Sequence, residues 1–170
     1  MPRVQSVTML GVTLLILLSA SGNSPAQQQP VPGAAPAWSI GKHKAPVVVE
    51  VFSDFQCPRC VAFNRDLKRV QAKYGDQVRM VFRELPLTQI HDKASLAAQA
   101  AEAAGLQGKF FQMNDLLYAK AGEWKDSPHL EDQFVSYAHD LKLNVKRFRS
   151  DMSGARVQER IRLDTERAEL

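Results

Sequence analysis

The sequence holds two cysteines, three residues apart in Phe55-Gln56-Cys57-Pro58-Arg59-Cys60. The attacking species in thiol–disulfide exchange is a thiolate, so such a site must favour negative charge on one sulfur and keep a second sulfur within reach. Cys57 and Cys60 meet both needs if a helix begins at the first of them. Cys57 then falls at the helix N-terminus, where unpaired N–H groups and the helix dipole favour an anion. Arg59 adds a positive charge nearby, and Pro58 suits the first helical turn, where its missing N–H costs nothing. Cys60 follows about one turn later and is expected to be the more buried. The roles follow: Cys57 forms mixed disulfides and Cys60 resolves them. A stabilised thiolate makes the disulfide oxidising, so the natural direction is donation of disulfides. A purely structural disulfide is one alternative, but closing so short a loop contributes little stability. A zinc site is another. It needs about four nitrogen or sulfur ligands, and His43, His91, His129 and His139 show no ligand spacing to the cysteines. No metal or bound cofactor is expected; the redox group is the dithiol itself.

The elements that must position this pair are legible on either side of it. Val47-Val48-Val49-Glu50-Val51-Phe52 is β-branched and nearly all apolar, as for a strand buried on both faces of a parallel sheet. Val61, Phe63, Leu67, Val70 and Tyr74 recur at helical spacing after the cysteines, and Gly75 ends the run. Gln77 to Leu85 alternates into a second strand, stopped by Pro86. A strand–helix–strand unit of this kind makes the two strands parallel, with a right-handed crossover. Glu50 is the charged residue of the first strand. If buried, its carboxyl has a raised pKa and can relay a proton during Cys60 chemistry; the alternative is a carboxylate facing solvent at an edge. Asp54 and Gln56 flank the motif and either tune it or cap its loop. His91 reads as a capping or packing residue. The remaining chain reads as helices over about 92–105, 107–121, 128–143, 144–148 and 155 to the end.

The N-terminus carries an export signal. Met1-Pro2-Arg3 supplies a short positive region, residues 9–18 an apolar stretch, and Ser24-Pro25-Ala26 a small-x-small cleavage site, so residues 1–26 read as a signal peptide. An uncleaved anchor is the alternative. Export implies a periplasmic or otherwise extracytoplasmic, oxidising compartment. Residues 27–37 are a Pro/Gln-rich linker with little to bury. The 170 residues carry a formal net charge of +4, and the basic side chains after Lys142 alternate with acidic ones. That mixture predicts a solvated helix face and no nucleic-acid partner.

Phe52-Ser53-Asp54-Phe55-Gln56-Cys57-Pro58-Arg59-Cys60 resembles the active-site segment of the DsbA-like thioredoxin-fold oxidoreductases. So do Phe82-Arg83-Glu84-Leu85-Pro86-Leu87 followed by His91, the alanine-rich run from Ala97 to Ala104, and Gln107 to Leu117. The resemblance implies an α/β, thioredoxin-like fold with an inserted helical domain: residues 38–86 would be the N-terminal βαβ part and 87–170 the helical insertion. It makes Cys57 and Cys60 the redox pair and matches Glu50 to the acidic residue beneath the dithiol. The family continues with a cis-proline loop, an antiparallel strand pair and a final helix. Glu166 to Leu170 falls about where that loop should begin, and no proline follows Pro128. The final strands and helix of the fold are therefore expected to be absent. The implied function is a monomeric extracytoplasmic thiol–disulfide oxidoreductase. Its substrates would be exported proteins with cysteines, with a membrane redox partner to reoxidise it. The alternative is a truncated, non-catalytic binding or remnant module lacking the cis-proline loop.

Overall fold

The computed structural model describes residues 31–170; the expected signal peptide and the first part of the expected linker lie outside the described residues. Three strands and seven helices follow in the order β1 (Trp38–Ile40), β2 (Val47–Ser53), α1 (Pro58–Tyr74), β3 (Val78–Glu84), α2 (Ala94–Gly105), α3 (Phe110–Ala119), α4 (Ala121–Trp124), α5 (Leu130–Asp140), α6 (Val145–Met152) and α7 (Ala155–Arg167). The expected strand–helix–strand unit is present, with β2 parallel to β3 from Val47 opposite Val78 to Ser53 opposite Glu84. β1 pairs antiparallel on the other side of β3, giving the order β1-β3-β2. Three residues are too few to show a period, so β1 carries no signal in the sequence. Gly41 ends it at φ +99°, and a Cβ there would lie 2.2 Å from the Val78 carbonyl oxygen, so only glycine fits.

The two faces of the sheet do different work. Side chains of Val49, Val51 and Ser53 share one face with Met80, Phe82 and Glu84, because parallel neighbours in register point the same way. That face carries the apolar core with α1 and α3, where Phe82 meets Phe110 and Phe111 at ring distances of 6.4 and 5.4 Å. Glu50 and Phe52 share the opposite face with Val81 and Arg83. β2 departs from the expected strand buried on both sides: among the described residues it forms a sheet edge, and Val47 and Val48 are 50% and 58% exposed.

The helices and the sheet share one core. α2 sits at its centre because its side chains are small: Ala97, Ala98, Ala100, Ala101, Ala103 and Ala104 are all buried, and the helix touches α3, α5, α6 and α7. Gly105 carries this to the limit, since a Cβ there would come within 2.5 Å of the Trp38 ring. Trp124, Phe134, Phe148, Met113 and Leu117 fill the space around α2, and Trp124 Nε1 donates to the Leu117 carbonyl at 2.7 Å.

α7 corrects the expectation of a solvated charged face. Arg160, Asp164 and Arg167 recur at helical spacing and turn inward. Arg160 Nε donates to Glu102 Oε2 at 2.5 Å, and Glu102 Oε1 accepts from Trp38 Nε1 at 2.8 Å. Asp164 Oδ1 accepts from the Ala34 N–H at 2.7 Å and from Arg83 Nη1 at 2.9 Å, while its Oδ2 accepts from the Glu84 N–H at 3.2 Å. Alternation of charge reads as surface in a sequence, yet buried charges placed in mutual contact produce the same pattern. The last linker residues are drawn in with α7. Ala34 is buried, and the carbonyl of Pro36, which follows a cis peptide bond, accepts from Arg160 Nη2 at 3.1 Å.

Candidate active site

β2 ends at Ser53, a three-residue turn follows, and α1 starts directly after Cys57. Cys57 is the N-cap of α1, extended at φ −69° and ψ 120°, with Pro58 in the first turn and no acidic side chain there. The Cys57 carbonyl accepts the Val61 N–H at 3.1 Å, so Cys60 lies on the first turn of the same helix. Both cysteines are free thiols and partly buried, whereas Pro58 and Arg59 are exposed. The sequence reading of a dithiol at a strand-to-helix junction therefore holds in its geometry.

The turn is held from behind by one carboxylate. Asp54 is 2% exposed and accepts four hydrogen bonds. Its Oδ1 takes the N–H groups of Gln56 at 2.7 Å and Cys57 at 3.2 Å, and its Oδ2 takes the Leu87 N–H at 2.8 Å and His91 Nδ1 at 2.8 Å. Gln56 adds two more ties, donating to Asp92 at 2.9 Å and accepting the Lys93 N–H at 2.7 Å. Loop 54–56 is thus fastened to the segment between β3 and α2. Both residues are loop-fixing groups, and His91 packs into the same knot, as the sequence suggested.

Burial pushes the Cys60 thiol up, and the neighbouring Cys57 thiol pushes it the same way; hydrogen bonds from the Asp54 backbone and the Ser53 hydroxyl oppose them. Ser53 Oγ lies 2.5 Å from Tyr118 Oη, and the Tyr118 ring packs against Phe55 with centroids 4.9 Å apart. Burial keeps the Tyr118 phenol protonated far above its ordinary range.

Glu50 does not take the place expected of it. It lies on the sheet face opposite Ser53, three residues away: an even spacing along a strand shares a face, an odd spacing does not. There Arg167 grips its carboxylate through Nε at 2.6 Å and Nη2 at 2.9 Å, and Arg83 Nε donates at 2.8 Å. The Arg167 hydrogen bonds, helped by Arg83 and opposed by burial, hold its carboxyl below the usual range, the reverse of the expected shift. The buried, raised carboxyl is Glu84, opposite Ser53 on β3 and 3% exposed; burial raises it, and Glu102, Asp164 and Asp54 add to the effect. Glu84 and Ser53 were not singled out as site residues in the sequence. Alternation along β3, which puts Glu84 on the face of Met80 and Phe82, was the available signal for the first.

An open cavity of about 360 Å³ runs beside the middle of α1, lined by Leu67, Met80, Phe82, Phe111, Asn114 and Asp115 among others. Neither cysteine lines it.

The family model described as thioredoxin matches residues 34–169. Among solved structures, the chain is 25% identical to a thioredoxin-like oxidoreductase from Silicibacter pomeroyi, covering 78% of this chain and 72% of that one at a TM-score of 0.65. It superposes on oxidised BdbD from Bacillus subtilis at a TM-score of 0.68, with 23% identity and coverage of 81% and 77%. A curated relative, the Na(+)/H(+) antiporter NhaA 1 of Salinispora arenicola, is 38% identical over 130 residues, which are 76% of this chain and 19% of that protein. The chain thus spans about a fifth of the length of the curated relatives it matches.

Proposed function

The chain belongs to the thioredoxin family, with the fold of its DsbA-like thiol–disulfide oxidoreductases, and we propose that it exchanges a Cys57–Cys60 disulfide with cysteines of exported proteins. The observation that carries this reading is the dithiol itself: one thiol at the N-cap of α1 and one on its first turn, just past the end of a strand, with the turn locked by a buried carboxylate. In the oxidising direction a substrate thiolate attacks Cys57 Sγ. The Cys57–Cys60 bond breaks, its electron pair leaves on Cys60, and the substrate is joined to Cys57. A second substrate thiolate then attacks the substrate sulfur of the mixed disulfide, forming the substrate disulfide and releasing Cys57 as thiolate. Oxidation of the substrate dithiol balances reduction of the protein disulfide.

The signal-like residues 1–26 support an extracytoplasmic location. A membrane partner that reoxidises the dithiol fits that location, and related segments form part of proteins named as Na(+)/H(+) antiporters. The test is oxidative refolding of a reduced substrate, or insulin reduction, beside Cys57→Ser. Turnover lost in Cys57→Ser supports the oxidoreductase. Stoichiometric binding without turnover supports a second reading, a non-catalytic binding module, which the apolar edge of β2 and the 53% exposed Phe63 favour.

A further inference from the structure

The open cavity of about 360 Å³ lies where α1 and α3 meet the sheet, and residues of β1 and β3 complete its lining. Leu67, Met80, Phe82 and Phe111 give it apolar walls, with Phe82 and Phe111 edge to face at 5.4 Å. Its two charged lining residues, Lys68 and Asp115, already pair with each other at 2.7 Å, each about half exposed. Three carboxamides remain: Asn64 and Gln71 on α1, and Asn114 on α3. Asn64 and Asn114 are 6% and 3% exposed. Among the described residues the Asn64 side chain has no hydrogen-bond partner, and Asn114 Nδ2 has one long contact, 3.4 Å to Asp115 Oδ1. Gln71 Nε2 donates to the Gly75 carbonyl at 3.4 Å, while Gln71 Oε1 is buried without a partner. A buried carboxamide is costly unless its donors and acceptor are paired, and leucine would fill the same space without that cost. Three such groups around one apolar recess have hydrogen-bonding capacity that the fold itself leaves unused.

We propose that this cavity binds a small neutral aromatic molecule that carries a carboxamide or another edge with both a donor and an acceptor. The ring lies against Leu67, Met80, Phe82 and Phe111. The polar edge pairs with Asn64 and Asn114, which reach the cavity from two different helices. A side-chain amide suits such an edge, because each offers the other one N–H and one C=O. Apolar walls with a few convergent polar groups, in a volume of about 300–1,000 Å³, are the usual anatomy of a small-molecule site. Charge sets the ligand class. Lys68 and Asp115 neutralise each other, so no lining residue offers an unpaired charge to an ionic ligand. A carboxylate would have to compete with Asp115 for Lys68, and it brings no donor for the amide oxygens. The site is separate from the dithiol chemistry, since neither cysteine lines it, and it goes beyond the oxidoreductase reading without depending on it.

The test titrates the full chain, isotope-labelled, with three probes of similar size: benzamide, toluene and benzoate. Binding is read from amide chemical shifts by NMR. Benzamide should give saturable shifts confined to the middle of α1, to β3 and to the start of α3. Toluene, which keeps the ring and loses the polar edge, should bind about fivefold more weakly, the factor expected for one neutral hydrogen bond. Benzoate, with its charge, should bind more weakly than benzamide. Asn64→Leu and Asn114→Leu should each weaken benzamide by about fivefold and leave toluene as tight as before or tighter, so that the preference disappears. If either leucine variant fails to fold, the corresponding alanine variant, which adds no volume, decides in its place. Shifts that do not saturate, or that spread over the surface, overturn the site. Toluene binding as tightly as benzamide, or a benzamide preference that survives both substitutions, overturns the role of the amides. The same titration on Cys57→Ser should be unchanged, so loss of turnover and loss of this site are read separately.

Discussion

Asp54→Asn is the sharpest test of how the dithiol is held. The native carboxylate accepts three backbone N–H groups and His91 Nδ1, all between 2.7 and 3.2 Å, in a site that is 2% exposed. Asparagine keeps one acceptor oxygen and replaces the other with an NH2 group. Whichever way the amide turns, that group meets a backbone N–H, either of Leu87 or of Gln56 and Cys57. At least one buried donor is then orphaned, at about 1–3 kcal/mol, and the surviving bonds lose the strength that the charge conferred. The sum is about 2–4 kcal/mol of stability. With a urea slope of about 2 kcal/mol per molar, the unfolding midpoint falls by about 1–2 M. The measurement is urea unfolding of the reduced protein, with Asp66→Asn as the control: Asp66 is an exposed partner of Arg69 and its loss costs at most about 0.5 kcal/mol. A midpoint for Asp54→Asn within about 0.3 M of the control would show that the four bonds do not fasten the turn, and the account of how Cys57 is positioned would fall with them.

Glu50→Gln leaves the pH profile of exchange unchanged, because Glu50 lies across the sheet from the dithiol. It lowers stability by about 1 kcal/mol at neutral pH, a figure discounted for the partial exposure of the ion pairs. The folded-state carboxyl is held below its ordinary range, so this contribution is present above that range and is lost as pH falls through it. Wild type and variant should therefore converge in acid unfolding; a constant gap would refute the ion-pair account. Glu84→Gln behaves oppositely. The Glu84 carboxyl is raised, so ionising it in the fold becomes a growing cost as pH rises through and above the ordinary carboxylate range. Urea midpoints at mildly acidic and mildly alkaline pH should show the variant gaining on wild type as pH increases. Gly105→Ala should destabilise by about 1–3 kcal/mol despite the better helix propensity of alanine, because the new methyl meets the Trp38 ring. Thermal melts in which the variant is the more stable would show that Trp38 moves aside without cost.

The elements flanking the cysteines were legible because each carried two agreeing signals. β2 and α1 were announced by β-branched residues followed by a Pro-started helical period and a terminal glycine, and their bounds fall within a residue or two of expectation. β1 was not legible, since Trp38-Ser39-Ile40 gains strand geometry only by pairing with Met80 to Phe82. The core position of α2 was half legible: alanine announces a helix, but only the packed structure shows that small side chains let it be surrounded. The charged residues were the hardest to place. Glu50 and Glu84 are each the single acid of their strand, and the period of two cannot tell which face is covered until the partners are known. Arg167 and Asp164 decided that question from 80 or more residues away in sequence. Cys57 and Cys60 needed no such partner, since spacing alone brings their positions together.

The inward turn of α7 also bears on the order in which the chain can fold. Asp164 bonds Ala34 across 130 residues, and Arg167 grips Glu50 across 117. As the chain is made from its N-terminus, β2, α1 and β3 are complete long before these partners exist. Until then the Glu84 N–H lacks its Asp164 acceptor, Arg83 has only Glu50 and the Ala34 carbonyl to bond, and one face of the sheet is uncovered. Closing so long a loop is slow, though its entropic cost grows only weakly with length. Between synthesis of the dithiol and arrival of α7, the chain therefore passes through a window in which its redox-active turn is already made but its sheet is not yet sealed. In that window the chain itself would be a client for whatever guards unfolded proteins.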